Sequence, residues 1–517
     1  MKSLHSLLAA GAAALMLASC GGGSGDAGSG GTPAGPPAPR PTGTLLQDPP
    51  AITASLSAGD LSAQMRNGPA RDQTLLLLAG EPICDVQVRY LQYATTGGAG
   101  EATTASAALM TPGGSDSRCT GARPILLYAH ATHPEKSFNL ARLTDNTNPA
   151  YTEALSVAAI FAARGYIVVA PNDAGYDSST LGYHPFLNAQ QQSSEMLDAM
   201  AAARTAMAGI TPQVVPSTQL FLTGYSQGGY VALATERALE AAGVRVTASA
   251  PMSGPYAVLK ELDDNFAGRV HVASTLFASL LATSYQRAYG NVYATPADLY
   301  ESNYVTGIES LLPGTDTTTL SRTGKLPESA LFSATPPQAP AGSPASLQAT
   351  LNAWTPPTNT GMDAIFARGF GPGNLFTNSF RLAYLQDLIA HPADPAFGLR
   401  VDAKANDLRG FIPKAPVLLC GGSQDATVSY DNNTRAMAQS WNALVPPRVL
   451  VLDVDDSSPS TADPFFTEKV NFTLLKEATR LQARASGDDP DWTLARNYHA
   501  AVFPFCASAV GKFFARF

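Results

Sequence analysis

Gly224-Tyr225-Ser226-Gln227-Gly228 sets a serine between two glycines, directly after the apolar run Leu220, Phe221 and Leu222 and ahead of a helix-forming segment over residues 231–242. Strand, tight turn, helix is the setting in which G-x-S-x-G reads as a nucleophile elbow. On such a turn the hydroxyl projects from the sheet edge. The flanking positions must lack a Cβ because strand and helix pass close on either side. The following helix aims its free N–H groups at the serine, where negative charge develops on an attacked carbonyl oxygen. The plainer alternative is a serine in an ordinary Gly-rich turn.

A serine hydroxyl is a weak nucleophile until a base takes its proton, and the base needs a third group to fix its tautomer. The chain has seven histidines. The order serine, acid, histidine that accompanies this elbow selects His499, in Asn497-Tyr498-His499-Ala500-Ala501. The acid belongs in a loop after an intervening strand. Gly421-Gly422-Ser423-Gln424-Asp425-Ala426-Thr427-Val428 follows the apolar residues 415–420, so Asp425 is expected, with Asp453 and Asp455 as alternatives. Two N–H groups must hold the oxyanion. One is expected from Gln227 and the other from the loop His130-Ala131-Thr132, with Thr132 chosen over Ala131. His130 and His133 stand three apart without further ligands at zinc-type spacing, so no metal or other cofactor is expected.

The elements that must position these groups follow from hydrophobic patterning. Residues 51–78 read as a helical lead-in, and residues 83–94 and 103–110 as an antiparallel hairpin with one apolar face. Residues 124–129, 166–170, 220–222, 244–250, 415–420 and 448–454 read as short strands, with helices over 151–164, 188–208, 231–242 and 492–517. This rhythm predicts an α/β fold, a mainly parallel sheet with an antiparallel N-terminal hairpin and helices on both faces. It breaks over 257–410, a stretch with a Pro/Ser/Thr-rich middle and exposed-looking aromatics, which is expected to be a large cap inserted between two halves of the core, 51–256 and 411–517.

These pieces resemble the α/β-hydrolase superfamily, and within it the secreted bacterial and fungal lipase and esterase branch. The likeness is carried, in order, by His130-Ala131-Thr132, residues 170–179 (APNDAGYDSS), His184-Pro185-Phe186-Leu187, residues 224–229 (GYSQGG), residues 421–428 (GGSQDATV) and residues 498–505 (YHAAVFPF). It implies hydrolysis of a small-molecule or lipid ester through an acyl-serine intermediate. A peptidase on the same scaffold and a non-catalytic binding protein are the other readings.

Composition bears on location. Charged residues are 14% of 517, the net charge is −8 and no basic run occurs, which argues against nucleic acid as a partner. Lys2 precedes a short apolar run over residues 4–17 and then Leu17-Ala18-Ser19-Cys20, which resembles a bacterial lipobox. Residues 1–19 are therefore expected to be a signal peptide. Cys20 would carry a lipid anchor to an outer membrane or cell surface, and 20–50, rich in Gly, Ser and Pro, would be a tether. Cys84, Cys119, Cys420 and Cys506 remain, an even number suited to an oxidising compartment. Three pairings are open; proximity favours Cys84 with Cys119, and a Cys420–Cys506 bridge would brace the site.

Overall fold

Alternating apolar side chains fold Asp85–Thr96 (β2) and Ala102–Gly113 (β3) into a hairpin paired from Asp85 with Gly113 to Thr96 with Ala102. The computed structural model describes residues 40–210, 213–358, 361–443 and 449–517, so the expected signal peptide and Cys20 lie outside the described residues. The lead-in differs from expectation. It opens as an edge strand, Ala51–Leu56 (β1), antiparallel to β2, and only then turns helical as Ala58–Asn67 (α1) and Ala70–Ala79 (α2). Only Ala54 of β1 is buried, so the apolar alternation that announces a strand is absent there. A Ser57–Asp60 capping box sets the switch from strand to helix. Residues 43–46, within the stretch expected to be a tether, are bonded to the sheet. The N–H groups of Gly43 and Leu46 donate to the carbonyls of Ala94 and Gln92 at 2.8 Å, extending the β1 edge.

The chain then alternates: Gly121–Ala129 (β4), Tyr151–Ile160 (α3), Ile167–Pro171 (β5), Ala189–Gly209 (α4), Val214–Tyr225 (β6), Gln227–Ala241 (α5) and Ala248–Met252 (β7). The sheet order is β1-β2-β3-β5-β4-β6-β7-β8-β9, with β8 Val417–Gly421 and β9 Val449–Asp453. Pairing is parallel from β5 onward and antiparallel before it. β5, β7 and β8 are buried along their whole length; β5 and β8 read as apolar runs for that reason, whereas β7 includes Ser249, whose hydroxyl donates to Glu236 Oε2 (2.6 Å). Leu127, Val169, Leu222 and Leu419 face a core shared with α4 and α5, whereas Leu126, Val168, Phe221 and Leu418 face one shared with α1, α2 and α3. Ser226 sits at the C-terminal end of β6, between β4 and β7, where crevices form in such sheets.

Between β7 and β8 the described residues hold helices only as regular structure: Val258–Phe266 (α6), Ser274–Tyr289 (α7), Pro296–Leu299 (α8), Thr317–Arg322 (α9), Ala345–Ala353 (α10), Met362–Phe366 (α11), Asn378–Ala390 (α12) and Gly398–Ala405 (α13). Their aromatics are mostly the insertion's own core rather than exposed. Phe266 stacks on Tyr384 at 3.7 Å, and Phe332, Phe376 and Phe380 close around Phe266. The buried Arg400 ties α6 to α12 through Asp263 (2.9 Å) and Asp387 (2.7 Å). Removing one partner of such a buried pair costs on the order of 3–5 kcal/mol, so the insertion is fastened to itself.

After β8 come Ala436–Asn442 (α14), β9, Phe466–Ser486 (α15) and Pro490–Phe514 (α16). Two disulfides are formed, Cys84–Cys119 and Cys420–Cys506.

Candidate active site

The elbow is visible in backbone angles. Ser226 has φ 57° and ψ −122°, a conformation that costs an L-residue on the order of 1–3 kcal/mol. It is held there by its own N–H donating to Met252 O (2.9 Å) and by its carbonyl accepting from Gly229 N–H (2.9 Å). A Cβ on Gly228 would lie 2.0 Å from Ala129 O, one on Gly224 2.3 Å from Gly228 O, and one on Gly229 2.5 Å from Met252 O. The three glycines are the distance of closest approach between β6, β4, β7 and α5.

His499 Nδ1 lies 2.6 Å from Asp425 Oδ2. The other carboxylate oxygen, Oδ1, accepts from the N–H groups of Thr427 (2.9 Å) and Val428 (3.2 Å), so the acid is clamped by its own loop. An ionised carboxylate only accepts, which places the histidine proton on Nδ1 and leaves Nε2 as the basic edge. Nε2 is buried and has no hydrogen-bond partner. The ring is brought beside the elbow by Tyr225, whose hydroxyl donates to His499 O and whose ring lies 5.1 Å from the imidazole.

The alternative acids do other work. Asp453 accepts from Ser423 N–H (3.0 Å) and Asp455 N–H (2.9 Å). Asp455 is bound by Lys476 and by the Tyr498 hydroxyl (2.6 Å), and that hydroxyl accepts from Gln424 N–H (3.2 Å). Asp453 and Asp455 thus fix the loop and helix that carry Asp425 and His499. The Cys420–Cys506 bridge joins the same two elements, β8 and α16, covalently.

Of the two oxyanion candidates in the loop after β4, the Ala131 N–H is taken by Glu153 Oε1 at 3.1 Å, which leaves Thr132. Gln227 is the first residue of α5, so its N–H has no carbonyl to reach within the helix. Thr132, Ser226 and Gln227 line one pocket of about 90 Å³. His130 and His133 both pack on Phe138; His130 Nε2 lies 3.5 Å from Asp173 and His133 Nδ1 3.5 Å from Glu135. Burial lowers the His133 pKa to about 4.

Sequence reasoning missed a buried polar cluster behind Gln227. Its side-chain amide donates to His184 Nε2 (2.5 Å) and Asp173 Oδ2 (3.3 Å). His184 Nδ1 faces Ala174 O at 3.0 Å, so Nε2 is the accepting edge, and burial lowers its pKa, which keeps it neutral. Glu195 accepts from Ala174 N–H (3.0 Å) and Gln191 (2.9 Å). The available signal was the glutamines and the glutamate on the packed side of α4, where only apolar residues are expected. Burial first and the Asp173 charge second raise the Glu195 pKa to about 8 from 4.5. The folded chain therefore holds a proton there that the unfolded chain releases. The contribution is full below about pH 4.5 and is lost as pH rises through about 8. Glu236 is raised to about 8 as well, so the test is a difference. Melting temperatures followed upward from acidic pH through the folded-state pKa should fall less in Glu195→Gln than in the native chain; parallel curves would remove the assignment.

A nine-stranded, mostly parallel sheet with a serine elbow at its centre and helices on both faces is the α/β-hydrolase fold. No protein-family model matches the sequence, and no curated protein matches it. Among solved structures the chain is similar to a ligand-bound form of the rice cell wall degrading esterase LipA from Xanthomonas oryzae, with 26% identity, a TM-score of 0.64, and 92% of this chain and 98% of that one covered. It is also similar in fold to a putative hydrolase from Legionella pneumophila, at 19% identity and a TM-score of 0.60 over 91% of this chain and 97% of that one.

Proposed function

We propose that the protein is a serine hydrolase of carboxylic esters. Ser226 attacks the ester carbonyl carbon while His499 Nε2 takes its proton. The tetrahedral oxyanion rests on the N–H groups of Gln227 and Thr132. His499 returns the proton to the departing alcohol, leaving an acyl-serine that water cleaves by the same steps. Asp425 holds the tautomer and stabilises the imidazolium. The observation that carries this reading is the 2.6 Å Asp425–His499 hydrogen bond with Nε2 unpartnered beside the elbow. The likeness to LipA, described as an esterase, supports it.

The pocket favours a short, apolar acyl group. Phe186, Leu187, Leu262, Phe266, Phe277 and Leu281 line it, and about 90 Å³ holds only a few methylenes. Nitrophenyl esters from acetyl to palmitoyl should show hydrolysis that peaks at butyryl or shorter and is lost in Ser226→Ala. A peak at palmitoyl would contradict the pocket; equal rates with and without the serine hydroxyl would contradict the mechanism. Two disulfides fit a chain exported to an oxidising compartment, where Cys20 would carry the lipid anchor. Metabolic labelling with a palmitate analogue, lost in Cys20→Ala, tests the anchor.

A further inference from the structure

A second chamber of about 450 Å³ adjoins the serine pocket, and His271 lines both. The partition is the short stretch Val270 to Ser274, ahead of and into α7. It is fastened to the acid loop by Val272 N–H donating to Ala426 O at 2.9 Å. The chamber is also lined by Trp492 and Arg496 of α16. Arg496 is three residues before His499, hence on the same helix face one turn away. The chamber is thus bounded by α16, which carries His499, and by a stretch bonded to the loop that carries Asp425.

Its charge is opposite to that of the chain. Arg322, Arg368 and Arg496 line it against a single carboxylate, Glu328, in a protein of net charge −8. Arg368 lies 4.6 Å over the Trp492 ring and pairs with Asp489 (2.6 Å). Among the described residues neither Arg322 nor Arg496 has an ion-pair or hydrogen-bond partner. Another basic recess differs. There Arg123 is spent on Gly165 O (2.8 Å), Arg164 on Gly80 O (2.8 Å) and Lys512 on Glu468 (2.5 Å). His271 is the titratable group of the partition. Burial would lower its pKa, but Glu261 at 3.1 Å, with Asp264 and Asp425 beyond, raises it. With Nδ1 turned to Glu261 and Asn265, Nε2 is the ring's remaining donor edge.

We infer that this chamber receives a carboxylate carried by the substrate, so that the preferred esters are anionic, with the charge on Arg322 and Arg496 and the reacting carbonyl at Ser226. This rests on the serine esterase reading. Guanidinium groups suit the role because they present forked donors to a carboxylate and stay charged at every working pH.

The test compares matched pairs in the purified protein. On the acyl side the pair is mono-4-nitrophenyl glutarate and its methyl-capped ester; on the alcohol side it is 4-acetoxybenzoate and its methyl ester. On one of the two arms the carboxylate form should have the higher kcat/KM. Arg322→Gln and Arg496→Gln should each reduce that preference about 2- to 5-fold, as expected for exposed ion pairs. The neutral esters should be unaffected, and about 0.5 M NaCl should erode the preference. Neutral esters favoured on both arms, or a preference unchanged in the double variant, would overturn the inference. Loss of all hydrolysis would count against the esterase reading instead. In that event Trp492 fluorescence reports the chamber directly. Titration with benzoate and glutarate should change it in the native chain and not in the double variant, and no response to either would overturn the inference.

Discussion

Asp425→Asn is expected to lower kcat by about 10⁴-fold with little change in KM, the size seen when a triad acid is made neutral. The geometry leaves the amide no good orientation. If its Nδ2 faces His499, two donors meet across the 2.6 Å now spanned by Nδ1 and Oδ2. The ring then keeps its proton on Nε2 and can no longer accept from Ser226. If the oxygen faces His499, Nδ2 confronts the N–H groups of Thr427 and Val428, which now donate to Oδ1. The loop then loses both bonds. The first orientation spares the loop's bonds to Oδ1, so it disables the base while Thr427 and Val428 keep their places in the pocket, which is why KM should hold. Steady-state rates on nitrophenyl butyrate, beside a melting curve, make the measurement. A loss of about tenfold or less would mean that Tyr225 and the helix alone orient His499.

Gly228→Ala is expected to remove activity by removing the fold around the elbow. The added carbon would sit 2.0 Å from Ala129 O and 2.8 Å from His130 O, both backbone atoms of β4 and the loop after it. Neither can yield without pulling Thr132 away from the pocket or parting β4 from β6. A destabilisation on the order of 4 kcal/mol follows, at the top of the range for single substitutions. Gly59→Ala is the control. It lies inside α1, where the nearest neighbour to a new Cβ is Ser57 Oγ at 3.7 Å, so it should gain about 0.5–1 kcal/mol. Urea unfolding of the two variants beside the native chain separates these outcomes. Similar midpoints for Gly228→Ala and the native chain would mean that β4 and α5 are not in contact at the elbow.

Much of this was legible in the sequence because the site is built from local patterns. An apolar strand, a glycine-flanked serine and a helix are adjacent in the chain, so β6, Ser226 and α5 could be placed together. Asp425 and Asp453 were harder to rank. Both follow apolar strands, and only the loop's fold shows that one carboxylate turns to His499 while the other binds Ser423 and Asp455. Nothing in the sequence shows that the Ala131 N–H is bound by Glu153, 22 residues away and on another element. The cluster of Asp173, His184 and Glu195 behind Gln227 was hidden for the same reason, since its members come from separate segments and meet only when α4 packs on the sheet. β1 was missed because an exposed edge strand carries little apolar alternation. The insertion's aromatics read as exposed because they come from separate helices and loops and pack on one another only where α6 and α12 meet.

The nucleophile is proposed to be Ser226. Incubating the protein with a fluorophosphonate and reading intact mass, then peptide mass, addresses it directly. One adduct is expected, on the peptide containing Ser226, formed by the native chain, much slower in His499→Ala and absent in Ser226→Ala. An adduct on another residue, or a folded native chain that stays unmodified, would contradict it.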